Sequence, residues 1–163
     1  MNKSIGRTLV LASAVLGLTA IGDAAAETRT PPYWASFAAG KARLRTGPGR
    51  NFPAIWLYQR RDLPVRVIEV YPNWRKIEDP EGVRGWVQSN LLSEKRTGMV
   101  RGGVVAMRAE PDASAKLLWR AEAGVIGHIS KCQYGWCQFD VGGKTGFVER
   151  GMLWGVSPGE AVD

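Results

Sequence analysis

A Trp-led hairpin pattern occurs twice in this chain, and the matching positions around it recur at a nearly constant offset. The first copy runs through Asn73-Trp74-Arg75-Lys76-Ile77, the turn Asp79-Pro80-Glu81-Gly82, and Gly85-Trp86-Val87. The second runs through Gly135-Trp136-Cys137-Gln138-Phe139, Gly142-Gly143, and Gly146-Phe147-Val148. Each is two short runs of β-branched and aromatic residues around a turn, the signature of a β-hairpin. Pro80 presets φ for a type I turn, and the Gly pair supplies the positive φ values of a primed turn. Arg45-Thr46-Gly47-Pro48 matches Arg108-Ala109-Glu110-Pro111 at an offset of 63, Trp74 matches Trp136 at 62, and Gly85 matches Gly146 at 61. Ala54-Ile55-Trp56 likewise matches Leu117-Leu118-Trp119. The drift is a change of loop length between the same elements. Two copies are too few for a solenoid array, so the pattern predicts two tandem domains.

No stretch has sustained helical periodicity, and the chain reads as all-β. Leu63-Pro64-Val65-Arg66-Val67 alternates apolar and polar, as a half-buried strand does, and residues 125–129 repeat it. Residues 89–92 read as one 3₁₀ turn capped by Ser89 or Asn90. The expected layout is a signal peptide over 1–26, an N-terminal arm over 27–40, domains over 41–94 and 99–156, and a fraying tail over 157–163. Residues 33–37 form a strand or packed arm within that lead-in. A lone unit of this size has a thin core, so the two are expected to share buried surface across the short linker 95–98.

The first residues look like an export leader. Lys3 and Arg7 precede an uncharged run over 9–21, and Ala24-Ala25-Ala26 offers a small-residue cleavage site. The run is shorter than the roughly 20 residues of a membrane-spanning helix, and nothing later is long and apolar enough to span. A periplasmic or secreted location is therefore expected. The net charge is +7, and it is uneven: residues 41–96 hold 12 Lys and Arg against 6 Asp and Glu, whereas 97–163 hold 7 against 7. A basic surface in the envelope meets anionic lipid heads and wall carboxylates. Cys132 and Cys137 flank four residues that read as a hairpin tip, and opposed hairpin positions suit a disulfide. A metal site lacks further Cys or His nearby, and a redox pair is more typically spaced Cys-x-x-Cys.

Leu44-Arg45-Thr46-Gly47-Pro48, the alternating strand Val65-Arg66-Val67, Asn73-Trp74 and Gly85-Trp86-Val87 together resemble the bacterial SH3-like domain family. The resemblance covers residues 34–155. Copy two departs from it at Met107, Glu110 and Phe147, where copy one has Leu44, Gly47 and Trp86. It implies two small, five-stranded, partly open β-barrels packed together. It also implies an exported, non-catalytic module linked to the cell wall or to envelope partners. By the same resemblance, the ligand groove lies between the loops 46–53 and 71–74.

No catalytic set emerges from the sequence. His128 is the only histidine and lies in an alternating strand, with no nucleophile and orienting acid to work with. Glu78 and Glu81 sit at a hairpin tip rather than in a cleft. Gly47-Pro48-Gly49 lacks the Lys-Ser/Thr of a phosphate-binding loop. No cofactor or metal is expected. Binding is the better reading, since Tyr, Trp and Arg dominate binding hot spots. The candidates are Tyr58, Tyr71 and Trp74 at loop junctions, with Arg50, Arg60, Arg61 and Arg75 beside them in sequence. The expected ligand is a peptidoglycan peptide or anionic wall material, held by stacking and Arg–carboxylate forks. The alternative is a scaffold that binds another envelope protein. Basic residues with aromatics also suit nucleic acid, which the export leader argues against.

Overall fold

The computed structural model describes residues 29–162; the leader expected over 1–26 lies outside them. The first unit consists of β1 (Tyr33–Phe37), β2 (Ala42–Arg45), β3 (Ala54–Tyr58), β4 (Pro64–Tyr71), β5 (Trp74–Glu78), β6 (Arg84–Gln88), a 3₁₀ turn (Ser89–Leu91) and β7 (Leu92–Ser93). The second consists of β8 (Thr97–Val100), β9 (Val105–Arg108), β10 (Leu117–Ala121), β11 (Ile126–Gln133), β12 (Trp136–Val141), β13 (Lys144–Glu149), a 3₁₀ turn (Arg150–Met152) and β14 (Leu153–Trp154). The strand orders are β3-β2-β6-β5-β4-β1-β7 and β10-β9-β13-β12-β11-β8-β14. The second is the first shifted by seven labels throughout. The chain is a tandem pair of SH3-like β units.

Turn chemistry sets the register of both hairpins in each unit. Tyr71 pairs with Trp74 across Pro72-Asn73, and Asn73 takes φ 60°, a left-handed conformation that Asn tolerates better than most residues. Beyond β5, the Asp79 carboxylate accepts from the amides of Glu81 (3.0 Å) and Val83 (2.8 Å). In the second unit Gly142 and Gly143 take φ 60° and 86° between the paired residues Val141 and Lys144, as the primed turn requires. Cys132 and Cys137 are cross-strand partners in β11 and β12 and form a disulfide, with Cα atoms 4.1 Å apart.

Each unit has its own core. Phe37, Leu44, Val65, Val67, Ile77 and Val87 are fully buried in the first; Met107, Ile129, Phe139 and Val148 fill the second. The cores are not independent. Met99 of β8 is buried in the first unit's cluster, with Ile126 and Trp154 packed against it. Thr97 Oγ1 donates to the Asp62 carbonyl (2.8 Å), and Trp154 Nε1 donates to the Pro64 carbonyl (3.2 Å).

The structure differs from the expectations drawn from sequence at several points. Residues 33–37 take the strand alternative, but as part of the first unit rather than of a lead-in: β1 pairs with β4 and with β7 inside the first sheet. Its counterpart β8 takes in Thr97 and Gly98, which the sequence places in the linker. With β1 and the two-residue β7, each sheet has seven strands rather than five. The 3₁₀ turn over 89–91 has no side-chain cap, because Gln88 occupies the capping position and makes no such bond. The described part of the tail packs against the second unit. Val162 is buried in the second core, and its carbonyl accepts from the Cys132 amide (2.9 Å). Glu160 is ion-paired with Arg96 (2.5 Å) and accepts from the Ser157 amide (2.8 Å).

Candidate functional site

The alternation of β2 builds a basic concave surface on the first unit. Ala42 and Leu44 point into the core and Arg43 and Arg45 point out, as the two-residue period of a strand requires. Lys41 extends the same face. Together with Leu57, Trp74, Gln88 and Leu91 these residues line a groove of about 290 Å³. Among the described residues no carboxylate lines it. Arg45 also holds the fold locally. Its Nη1 donates to the carbonyls of Arg50 (3.1 Å) and Phe52 (2.7 Å), clasping the loop after β2. Lys41 and Arg43 make no side-chain hydrogen bond or ion pair among the described residues, so their charge faces the groove uncompensated.

The equivalent groove exists in the second unit, with its charge removed. It has about 200 Å³ and is lined at the matching positions by Val104, Ala106, Arg108, Trp136, Glu149 and Met152. Arg108 repeats the clasp, donating to the Ala115 carbonyl (2.7 Å). Val104 and Ala106 stand where Lys41 and Arg43 stand, and Glu149 replaces Gln88. One backbone geometry therefore carries a cationic groove in one unit and a near-neutral one in the other.

The residues singled out from sequence are scattered around this surface. Tyr71 is exposed and meets Trp86 edge to face, with centroids 6.3 Å apart. Lys76 Nζ lies 5.8 Å from the centre of the same Trp86 ring. Trp74 is buried apart from the edge it contributes to the groove. Tyr58 is not at the surface: its hydroxyl donates to Asp79 Oδ2 (2.8 Å) in a buried pair. Burial raises the phenol pKa far above its usual value, with the Asp79 hydrogen bond and the charges of Asp79 and Glu81 adding to the effect. Arg75 is committed to the hairpin, donating to the Tyr33 hydroxyl (3.0 Å) and to the carbonyls of Trp74 (2.8 Å) and Tyr71 (3.2 Å). Arg60 reaches the second unit, where it donates to the Gly124 carbonyl (2.5 Å). Arg50 and Arg61 are exposed.

Sequence reasoning did not single out Lys41, Arg43, Arg45, Leu57 or Gln88. The signal was present in the first three: Lys-x-Arg-x-Arg at strand spacing puts three cations on one face.

His128 is exposed, and its Nδ1 lies 2.6 Å from the Arg96 carbonyl oxygen, so that nitrogen carries the proton. Both cysteines are held in the disulfide. Among the described residues no group of three His, Cys, Asp or Glu is placed to hold a metal, and no helix is long and apolar enough to cross a membrane.

Comparison with known proteins bears on the whole arrangement. No curated protein matches the chain. Among solved structures, NlpC2 from Trichomonas vaginalis is 12% identical with a TM-score of 0.35, the match covering 78% of this chain and 49% of that one. NlpC1 from the same organism is 10% identical with a TM-score of 0.34, covering 79% and 48%. An NlpC/P60 family protein from Bacillus cereus ATCC 10987 is 10% identical with a TM-score of 0.34, covering 74% and 55%. The chain thus spans about half the length of these structures. The profile described as bacterial SH3 domain matches twice, over residues 38–94 and 101–155, one match to each unit of the fold. The chain belongs to the bacterial SH3 domain family, as a tandem pair.

Proposed function

We propose that this protein is a non-catalytic binding module of the cell envelope. In this reading the groove of the first unit takes peptidoglycan stem peptides or anionic wall material. The observation that carries the reading is the contrast between the two grooves. Lys41, Arg43 and Arg45 surround an apolar floor of Leu57 and Trp74 with no acid among them. The duplicate site keeps the shape without the charge. A carboxylate-bearing peptide suits such a surface, since guanidinium forks grip the carboxylate and the floor takes apolar side chains. The leader-like start and the disulfide support export to the periplasm or beyond, where disulfides persist.

Retention on purified wall sacculi tests this. Wild-type protein is expected to be retained at low salt and released as salt rises, because exposed charge is screened within about 10 Å at 0.1 M. A K41Q/R43Q variant is expected to pass through. Retention of that variant at the wild-type level would refute the assignment of the groove.

A second reading, a scaffold for another envelope protein, is favoured by a separate feature. Strand β3 is an edge of the first sheet and exposes Ile55, Trp56 and Leu57 in a row, Trp56 at 59%. An unpaired apolar edge invites strand addition by a partner. Such binding would survive high salt and be lost in a Trp56→Lys variant but not in K41Q/R43Q.

A further inference from the structure

A further concave surface lies on the seam between the units and shares no lining residue with either groove. It encloses about 500 Å³, and among the residues lining it are Trp34, Arg66, Arg101, Arg150, Trp154 and Ser157. Three arginines, from β4, from the segment after β8 and from the second 3₁₀ turn, line it, and among the described residues no carboxylate does. Two acids near these arginines are already engaged. Glu78, the cross-strand partner of Arg66, is ion-paired with Arg84 (2.9 Å). Glu160, whose carboxylate feels the charge of Arg150, is held by Arg96 (2.5 Å).

The donors of this site are uncommitted in an unusual way. The Nε of Arg66 and the Nε of Arg150 are buried with no acceptor among the described residues. Neither side chain makes any other hydrogen bond or ion pair there. The Nη groups of both arginines are likewise unbonded among the described residues but reach solvent, and an oxyanion there would be held by them with charge assistance. The tryptophans are the opposite case. Trp34 Nε1 donates to Ser157 Oγ (2.9 Å) and Trp154 Nε1 to the Pro64 carbonyl (3.2 Å). Their polar atoms are used, and they offer a ligand only carbon. Arg101 lies over the Trp154 ring at 5.3 Å, which fixes its charge beside that apolar wall.

We propose that the seam between the two units is a binding site for an oxyanion, carboxylate or phosphate, carried on a flat or apolar body. The anion sits among Arg66, Arg101 and Arg150, and the body lies against Trp34 and Trp154. The site needs both units, since Trp34 and Arg66 come from the first and the rest from the second. It does not depend on the groove of the first unit.

The test follows the indole N–H signals of Trp34 and Trp154 by NMR in the full chain. Benzoate and phenyl phosphate are titrated separately at matched ionic strength, with benzamide as the uncharged counterpart. Saturable shifts of both indole signals with at least one anion, and none with benzamide, are expected; the tighter anion identifies the preferred head group. R66Q and R150Q each remove a charge-assisted bond and are expected to weaken binding about tenfold. R101Q, at an exposed position, guards against a folding defect in the other two and is expected to weaken binding as well. R43Q, in the groove of the first unit, is expected to change it less than about twofold. The proposal falls if neither anion saturates, if benzamide binds as well as benzoate, or if all three seam variants bind like wild type. Loss of sacculus retention in K41Q/R43Q leaves this outcome untouched, so the two sites fail separately.

Discussion

The indole of Trp34 in β1 meets the indole of Trp154 in β14 edge to face, with centroids 4.9 Å apart and planes at 86°. One ring comes from each unit, so the pair joins the two halves of the molecule. Trp154→Ala is expected to cost about 3 kcal/mol, the usual size for removing a large aromatic from a packed site. Urea unfolding followed by circular dichroism and by Trp fluorescence checks it. Coincident curves are expected for wild type, because Met99 ties the cores together. A loss below about 1 kcal/mol would mean that the ring contact contributes little beyond surface packing.

Gly155 is packed tightly against β8 of its own unit, beside the seam. Its φ is +116°, and a Cβ placed on it would overlap the Thr97 carbonyl oxygen. Gly155→Ala is expected to lower stability by at least about 2 kcal/mol, since strain and steric conflict add. Gly151, where a Cβ meets nothing within 4 Å, is the control, and Gly151→Ala is expected to be close to neutral in the same urea series.

Tyr58 makes stability pH-dependent on the alkaline side. Its folded pKa is raised, so its contribution is fully present below the unfolded value, about 10. Above that pH the unfolded chain loses the proton while the folded one keeps it, and stability falls. The expected fall is about 1.4 kcal/mol over the whole interval from pH 9 to 11, measured as the wild-type minus Tyr58→Phe difference in urea stability. At neutral pH Tyr58→Phe is expected to cost about 1–2 kcal/mol through the lost bond to Asp79. A difference that stays flat with pH would show that the phenol ionises in the fold.

The disulfide closes a very short loop and is expected to contribute modestly. Replacing Cys132 and Cys137 together by Ser is expected to cost about 2 kcal/mol by loop-closure arithmetic. The amide of Cys132 also holds Val162, so faster hydrogen exchange should appear at that amide before the rest of the sheet. Unchanged protection there would separate the tail from the hairpin.

Charge can be moved between the two grooves. Lys41→Val with Arg43→Ala gives the first unit the residues of the second, and Val104→Lys with Ala106→Arg does the reverse. On sacculi the first pair is expected to abolish salt-sensitive retention. Adding the second pair to it is expected to restore part of that retention. If only the original unit ever binds, groove charge is not what the wall material reads.

Much of the fold was legible because hairpins are local. Trp74 and Trp136, Gly85 and Gly146, and the two turns announce themselves within a few residues of sequence. Strand β1 was not legible as a sheet member. Its partners β4 and β7 lie far along the chain, and Tyr33–Phe37 shares no residue pattern with its structural twin Thr97–Val100. The site was legible in part. Aromatics and arginines do cluster on the first unit, but sequence adjacency does not say what a side chain bonds. Arg75 serves backbone carbonyls, and Tyr58 faces inward as the last residue of β3. The seam arginines were illegible altogether, since Arg66, Arg101 and Arg150 meet only after both units have folded and docked.

Only Glu94, Lys95 and Arg96 separate β7 from β8, and the docked cores leave that connection no room to swing. The two halves therefore act as a caliper with its jaws locked. A polymeric target that touches both must offer its groups at the interval the protein dictates, and no slack tether will adapt to a different one. A ligand that bridged both halves would gain from its second contact only at that one spacing.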